Sequence, residues 1–410
     1  MENRQTACCI VGGGPAGMIL GYLLARKGVQ VTVLEKHKDF FRDFRGDTVH
    51  PSTLDVFYEL GILDEFLALP HQEVRKIGIS IGGECFPLAD CTRLSTHSKF
   101  VALMPQWDFL NFLAKKAAQY PNFTLLMQHN VTGLLQRDNS VAGVHAETPN
   151  GPMEIRAGLV VGCDGRHSTS RSAAHLEVHD HGVPIDVLWF RLTKHSSDPP
   201  VALGHVNYGA LVVLIDRGDY YQTAFIIAKG TFETEVKPAG LESFRARIVR
   251  IAPFLADRVG ELTYWEQVKL LSVRINRLKY WHLPGMLCIG DAAHAMSPVG
   301  GIGINLAIQD AVAAANILWE PLLRGSIVTE LTLMKVQDRR ETPTRITQAF
   351  QVFVHHFLAK VLADPGPVKP PLLLHILRPG PWLQGKLARF IGVGVLPEHI
   401  RDKALTPPAH

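Results

Sequence analysis

Residues 7–35 read ACCIVGGGPAGMILGYLLARKGVQVTVLE. Ala7 to Val11 is a short β-type run that breaks at Gly12-Gly13-Gly14-Pro15-Ala16-Gly17. A helical pattern follows from Met18 to Lys27, and a second apolar run from Val29 to Leu34 ends at Glu35. Strand, G-x-G-x-x-G turn, helix, strand and terminal acid thus stand in the order of a dinucleotide-binding βαβ unit. The spacing has a physical basis: Gly12, Gly14 and Gly17 allow a tight turn and let a pyrophosphate approach the helix N-terminus. The acid at Glu35 accepts from a ribose hydroxyl. With no Arg directly after it, Glu35 favours a free 2′-hydroxyl, as in FAD or NAD. Pro15 at the helix start and Lys36 beside the acid belong to the same cofactor-binding stretch.

Two further stretches extend this reading. Gly158 to Gly162 reads as a buried strand running into Cys163-Asp164-Gly165-Arg166-His167-Ser168-Thr169-Ser170-Arg171, a polar loop at a strand end. Met286 to Ile289 reads as another strand, and it opens into GDAAHAMSPVGGIGINLAIQD, residues 290–310. Asp291 then lies past a strand's carboxyl end, where open α/β sheets bind ligands. Gly300-Gly301-Ile302-Gly303 feeds a helix from about Ile304 to Leu323, whose first amides and dipole suit developing negative charge.

Composition sets the limits. The chain has 410 residues, 47% hydrophobic and 20% charged, which fits a folded protein of two to three domains. A net charge of +4 without a basic run speaks against nucleic acid as a partner. Six cysteines show no C-x-x-C pair and no ligand-like spacing with His, so buried reduced thiols are expected and no metal site. No apolar run of about 18 residues and no leader-like segment is visible, so the expectation is a cytoplasmic protein without a transmembrane segment. The sequence leaves a homodimer open.

The rest of the chain divides by pattern. Thr53 to Leu69 and Phe109 to Gln119 read as helices, the second with Asp108 as N-cap. Asn130 to Leu135 and Val141 to Thr148 resemble a hairpin. Residues 74–97 and 184–279 are strand-rich, with one helix near Leu241 to Ile251. Pro343 to Leu362 is helical, and the remainder is broken by prolines. The fold class expected is α/β, a Rossmann-type FAD-binding domain (1–73, 98–183 and 280–345) interwoven with a β-sheet substrate domain (74–97 and 184–279). C-terminal helices (346–410) complete it. Trp189 and Arg191 share one strand face, and Tyr221, Thr223 and Phe225 another; either could roof a pocket or pack in the core.

The three motifs in this order, GGGPAG with Glu35, CDGRHSTSR and GDAAHAMSPVGGIGIN, resemble the class A flavoprotein monooxygenases, the p-hydroxybenzoate hydroxylase-like family. The resemblance implies that Gly12, Gly14, Ala16 and Gly17 hold the FAD pyrophosphate and Glu35 the adenosine ribose. It implies an FAD contact for Arg45, a contact near the flavin for Gln106 where many members have Arg, and a backbone contact to adenine for Val131. Asp164 and Gly165 match the second fingerprint, tied to FAD and NAD(P)H, and Asp291 the acid on the ribityl chain or pyrophosphate. Pro298, Gly301, Gly303, Ile304 and Asn305 would lie along the isoalloxazine ring. Many relatives have two prolines where this chain has Ser297-Pro298.

The implied cycle is hydride transfer from NAD(P)H to non-covalently bound FAD. Uptake of O2 as a flavin C4a-hydroperoxide and hydroxylation of an electron-rich aromatic or polyketide-type small molecule follow. His205, Tyr208 and Tyr221 are candidates for a base and Arg191 for a substrate carboxylate. A reductase of isoprenoid double bonds on the same fold, or a non-catalytic small-molecule binder, are the alternatives.

Overall fold

The computed structural model describes residues 2–41, 48–198, 203–370, 372–377 and 380–401. The chain opens with β1 (Glu2–Val11), α1 (Pro15–Arg26) and β2 (Val31–Glu35), the βαβ unit read from the glycine spacing. β3 (Thr48–Val49) leads to α2 (Pro51–Glu59) and α3 (Leu63–Leu67). The sequence suggests one helix here. It breaks because Gly61 takes a φ of +70°, a left-handed turn that ends α2. β4 (Gln72–Val74), β5 (Lys76–Ile81), β6 (Glu84–Asp90) and β7 (Val101–Leu103) follow.

α4 (Gln106–Ala117) starts three residues earlier than expected, with Pro105 at its N-cap. Asp108 is therefore inside the first turn, where its charge still faces the positive helix end but caps nothing. Next come β8 (Phe123–Met127), the hairpin β9 (Asn130–Arg137) and β10 (Ser140–Thr148), and β11 (Gly151–Gly162). β11 is longer than its apolar core predicts. Its first half alternates buried and exposed residues and pairs with β10.

α5 (Thr169–Ala173) and β12 (Val178–Asp180) lead to the second sheet: β13 (Ile185–Thr193), β14 (Gly204–Asn207), β15 (Ala210–Asp216), β16 (Tyr220–Ala228), α6 (Leu241–Ile251) and β17 (Lys269–Leu271). The chain returns through β18 (Asn276–Leu278), β19 (His282–Leu283), β20 (Met286–Cys288) and β21 (His294–Ala295). It closes with α7 (Ile302–Leu323), α8 (Glu330–Ala363), α9 (Leu372–Leu377) and α10 (Pro381–Gly392).

The first sheet runs β19-β20-β11-β1-β2-β8, with β10 and β9 added on the other stretch of β11. β20, β11, β1, β2 and β8 are parallel, so their carboxyl ends, and the loops that leave them, lie at one edge. The second sheet, β17-β13-β16-β15-β14-β5-β6, is antiparallel except for the β14–β5 pair. One of its faces buries Leu188, Phe190, Tyr221 and Phe225 under Phe244 and Ile248 of α6. The other buries Val187, Val206, Ala224 and Ile226 against Leu358 and Val361 of α8.

Two expectations change in three dimensions. Val299–Leu323 is long and apolar enough to cross a membrane, yet most of it is buried, with Ile308, Ala311, Val312 and Leu318 in the main core. It is apolar all round because elements cover it on every side. Cys8, Cys9, Cys91, Cys163 and Cys288 are buried free thiols as expected, but Cys85 is exposed on β6.

Candidate active site

The three motifs meet at the carboxyl edge of the first sheet, and glycine makes the approach possible. Gly12 has φ +106°, and a Cβ there would stand 2.5 Å from the Cys163 carbonyl oxygen and 2.9 Å from Cα of Asp164. Cys163 N–H donates to the Val11 carbonyl at 2.7 Å, fixing the second motif beside the first. Gly290 (φ +59°) would place a Cβ 3.3 Å from that of Ala16 and 3.0 Å from that of Ala307. The starts of α1 and the 290–310 stretch are thus in van der Waals contact.

At α1 the cradle is open. Gly14 is the N-cap without a side-chain cap, and a Cβ at Gly14 would meet nothing within 4 Å. Pro15 has no N–H, and the amides of the first turn face that space as an anion site. A Cβ at Gly17, in contrast, would lie 2.0 Å from the Gly12 carbonyl, so this glycine packs helix on strand. Glu35 accepts from the Gly13 N–H and the His37 N–H, each at 3.1 Å. Lys36 is exposed next to it. The His129 N–H donates to the Glu35 carbonyl at 2.9 Å, which brings the start of β9 and buried Val131 to the same corner. An adenosine half of FAD fits this corner: open amides for phosphate, a carboxylate for ribose and an apolar wall.

The second and third motifs supply the middle. Asp164 accepts from Ser168 Oγ (2.5 Å), Ser170 Oγ (2.9 Å) and the Ser170 N–H (2.9 Å). Its side chain therefore holds the loop before α5, and Gly165, at φ +82°, leaves open space beside the backbone. Arg166 reaches toward Asp291 at 3.7 Å, and both are partly exposed in the crevice.

At the flavin end Pro298 is half-buried, and Gly300 and Gly301 take φ +77° and +63°. Gly301 sits against Thr48, whose Oγ1 donates to its carbonyl at 2.9 Å; a Cβ at Gly301 would strike that oxygen at 2.4 Å. The Asn305 side chain is occupied within the protein. Its Oδ1 accepts from the His50 N–H and Thr53 Oγ1, both at 2.8 Å, and its Nδ2 donates to the Thr48 and Gly301 carbonyls. The side chain is fully committed to fastening α7 to β3 and α2, leaving backbone amides to face a ligand. Gly303 and Ile304 lie in the same first turn, and Gln106 opens α4, half-buried. Arg45 lies outside the described residues.

Two supports went unread in the sequence because their partners are distant. Asp310, fully buried, accepts from His294 Nε2 (2.5 Å), Arg340 Nε (3.0 Å) and the Gly290 N–H (3.1 Å). Burial alone would raise its carboxyl, but His294 and Arg340 outweigh that and hold it below the usual range. Gln351 of α8 accepts from the Ser297 N–H at 3.0 Å and donates to the Ser297 and Val299 carbonyls. Buried His355 meets Ser297 Oγ at 2.7 Å through Nε2, and burial lowers its pKa to about 4. Ser297 gives α8 an N–H and a hydroxyl to grip.

The substrate-side candidates fall on different faces of the second sheet. α8 holds the Ser297–Pro298 turn and also packs on the Val187–Ala224 face. Tyr221 belongs to the opposite face, buried beneath α6, where burial and Asp198 raise its pKa. His205 alternates with Val206 and packs near Phe254 on the α6 side, with ring centroids 5.9 Å apart. Tyr208 lies in the β14–β15 turn under Arg250. Arg191 shares the Trp189 face but is exposed, its guanidinium carbon 4.9 Å from the Tyr220 ring centroid. Trp189 is the residue this face retains: half-buried, with a buried Nε1 that has no hydrogen-bond partner among the described residues.

Comparison with known proteins follows the same lines. The model of the FAD binding domain family matches residues 5–349. A 6-methylpretetramide 4-monooxygenase of Streptomyces rimosus is 30% identical over 383 residues, which is 92% of this chain and 90% of that protein. A rifampicin monooxygenase of Streptomyces venezuelae is 27% identical over 328 residues, 76% of this chain and 63% of that protein. The crystal structure of p-nitrophenol 4-monooxygenase PnpA from Pseudomonas putida DLL-E4 shares the fold at a TM-score of 0.75 and 21% identity. That match covers 95% of this chain and 97% of PnpA.

Proposed function

The chain belongs to the FAD binding domain family, and on that premise we propose that it is an FAD-dependent monooxygenase acting on an electron-rich aromatic small molecule of polyketide type. NAD(P)H and O2 are the co-substrates. The observation that carries the reading is the shared helix α8. It fixes Ser297–Pro298 at the flavin loop and packs on the sheet face that bears Trp189.

When bound, FAD supplies hydride acceptance from NAD(P)H and oxygen activation. The chain supplies position and charge. Amides at the α1 start take the pyrophosphate, and Glu35 takes the ribose. The Gly301–Asn305 turn would offer amides and a helix dipole to negative charge on a bound flavin. Gln351 and Asn305 hold that turn from two sides, so it needs little reorganisation. Val187, Ala224 and Ile226 keep water from the facing sheet. Trp189 Nε1–H is the donor available to a substrate oxygen there.

The division into FAD-binding segments (1–73, 98–183, 280–345) and substrate segments (74–97, 184–279) belongs to this proposal and is supported by the separation of the two large sheets, with β18 pairing to β12 and β21 where the segments join. A cytoplasmic location also belongs to it, supported by reliance on NAD(P)H and by six free cysteines.

The test is coupled turnover. Purified protein should be yellow, release FAD on heating, and consume NAD(P)H and O2 with equal molar formation of a hydroxylated polyphenolic product. NAD(P)H-dependent product without O2 uptake would instead indicate a reductase. A protein that takes up no FAD would end the proposal.

A further inference from the structure

A second cavity lies at the end of the substrate sheet, between the β14–β15 turn, α6 and the end of α8. Its volume is about 280 Å³. The two-residue turn is Tyr208 at φ 47° and Gly209 at φ 67°. Both positions of such a turn require positive φ, and the first favours Asn or Gly. A bulky aromatic residue is strained there, which asks what its ring does.

The ring forms a wall. The Arg250 guanidinium carbon stands 4.0 Å from the Tyr208 ring centroid, and that of Arg247 stands 5.0 Å from the Phe225 centroid. Each guanidinium thus has a face near an aromatic ring, which leaves its N–H edge available. Neither makes a hydrogen bond or ion pair among the described residues. No carboxylate lines the cavity. Arg247 is half-buried; burial lowers its pKa, and only the charge of Glu235 works against that. A partly desolvated cation without a contacting anion is unfavourable unless a ligand completes it.

The remaining lining is apolar: Ala210, Ile251 and Leu362. The turn is also fixed. A Cβ at Gly209 would lie 2.9 Å from the Asp364 carbonyl oxygen, and Asn207 Oδ1 accepts from the Val368 N–H at 3.0 Å.

We propose that this cavity binds a small organic carboxylate with an apolar body. Its oxygens take the N–H edges of Arg247 and Arg250, and its hydrocarbon lies on Ala210, Ile251 and Leu362. The site is independent of the flavin cradle and of the monooxygenase reading.

Isothermal titration of the FAD-loaded enzyme with hexanoate tests it, with acetate, inorganic phosphate and hexanol as comparators. The expected result is saturable binding of one hexanoate, at least tenfold tighter than any comparator, without change in the flavin spectrum. R247Q/R250Q should weaken it at least tenfold while FAD content is retained. Tyr208→Asn, which suits the turn and removes the wall, should weaken it too, and it serves if the arginine variant is unstable. No saturable hexanoate binding would overturn the proposal. So would phosphate or acetate binding as tightly, unchanged affinity in the variants, or a hexanoate-induced flavin shift.

Discussion

Asp310→Asn should damage both stability and flavin retention, although Asp310 itself faces no ligand. The carboxylate is buried with Arg340 Nε at 3.0 Å, His294 Nε2 at 2.5 Å and the Gly290 N–H at 3.1 Å. Arg340 is itself 1% exposed. Removing one member of a buried ion pair costs about 3–5 kcal/mol, because the other charge stays desolvated and unmatched. Glu398, 3.5 Å from Arg340 Nη1, still compensates part of that charge, so the lower end, about 3 kcal/mol, is expected. An asparagine amide also turns an N–H toward donors, and the Gly290 N–H can lose its acceptor. The Gly290–Asp291 turn would loosen, and FAD affinity should fall roughly tenfold or more.

Urea unfolding followed by tryptophan fluorescence reads the stability term, since the Trp281 ring centroid is 4.8 Å from that of His294. Equilibrium dialysis of FAD reads the second. The double substitution Asp310→Asn/Arg340→Met removes the stranded charge and should cost at least about 1 kcal/mol less than the sum of the single changes. A loss below about 1 kcal/mol for Asp310→Asn, or strict additivity in the double variant, would refute the reasoning.

Other outcomes follow from single positions. Gly12→Ala should yield colourless protein, because φ +106° and a 2.5 Å approach to the Cys163 carbonyl leave no room for a methyl group; flavin content after purification checks it. Tyr221→Phe should leave kcat and KM within about threefold and raise the urea midpoint, because the hydroxyl is buried under α6 with no hydrogen-bond partner among the described residues, so its removal relieves a desolvation cost. Trp189→Phe should do the reverse, raising KM for the aromatic substrate with little change in stability. The pH dependence comes from His50 and His355, each 1% exposed and lowered by burial to a pKa of about 4. The unfolded chain takes up protons below about pH 6.5 while the folded state does not. Stability should therefore be lost as pH falls from about 6.5 toward 4, by up to roughly 3 kcal/mol per histidine; below that the histidine contribution levels off, while protonation of Asp310, held below the usual carboxylate range, takes stability further down. Urea midpoints across that range test this, and His355→Gln should flatten part of the slope.

The FAD-binding half of the molecule was legible because its chemistry is local. A G-x-G-x-x-G turn between β1 and α1, an acid closing β2 and an acid after β20 each need only a few consecutive residues, and backbone sterics then fix the geometry. Glu35 and Asp291 could be placed at strand ends without coordinates for the same reason. Where a residue's job depends on what lies across from it, the sequence alone was insufficient. Asp164 and Asn305 stand in the right motifs, yet their side chains hold loops, since Ser168, Ser170, His50 and Thr53 arrive from other segments.

Period-2 alternation put Tyr221 and Trp189 on defined strand faces but did not say which face α6 would cover and which α8 would. In the structure Tyr221 lies under α6, and Trp189 is on the face that α8 covers. The sequence by itself determined the α/β fold and a dinucleotide cradle, because short-range steric and dipole requirements dictate them, and the order of the three motifs carried the resemblance that implied FAD. Only the tertiary structure decided the supports and the substrate face. Buried charge pairs such as Asp310–Arg340, and the grip of Gln351 on Ser297, form between residues separated by 30 and 54 positions, and no local pattern encodes them.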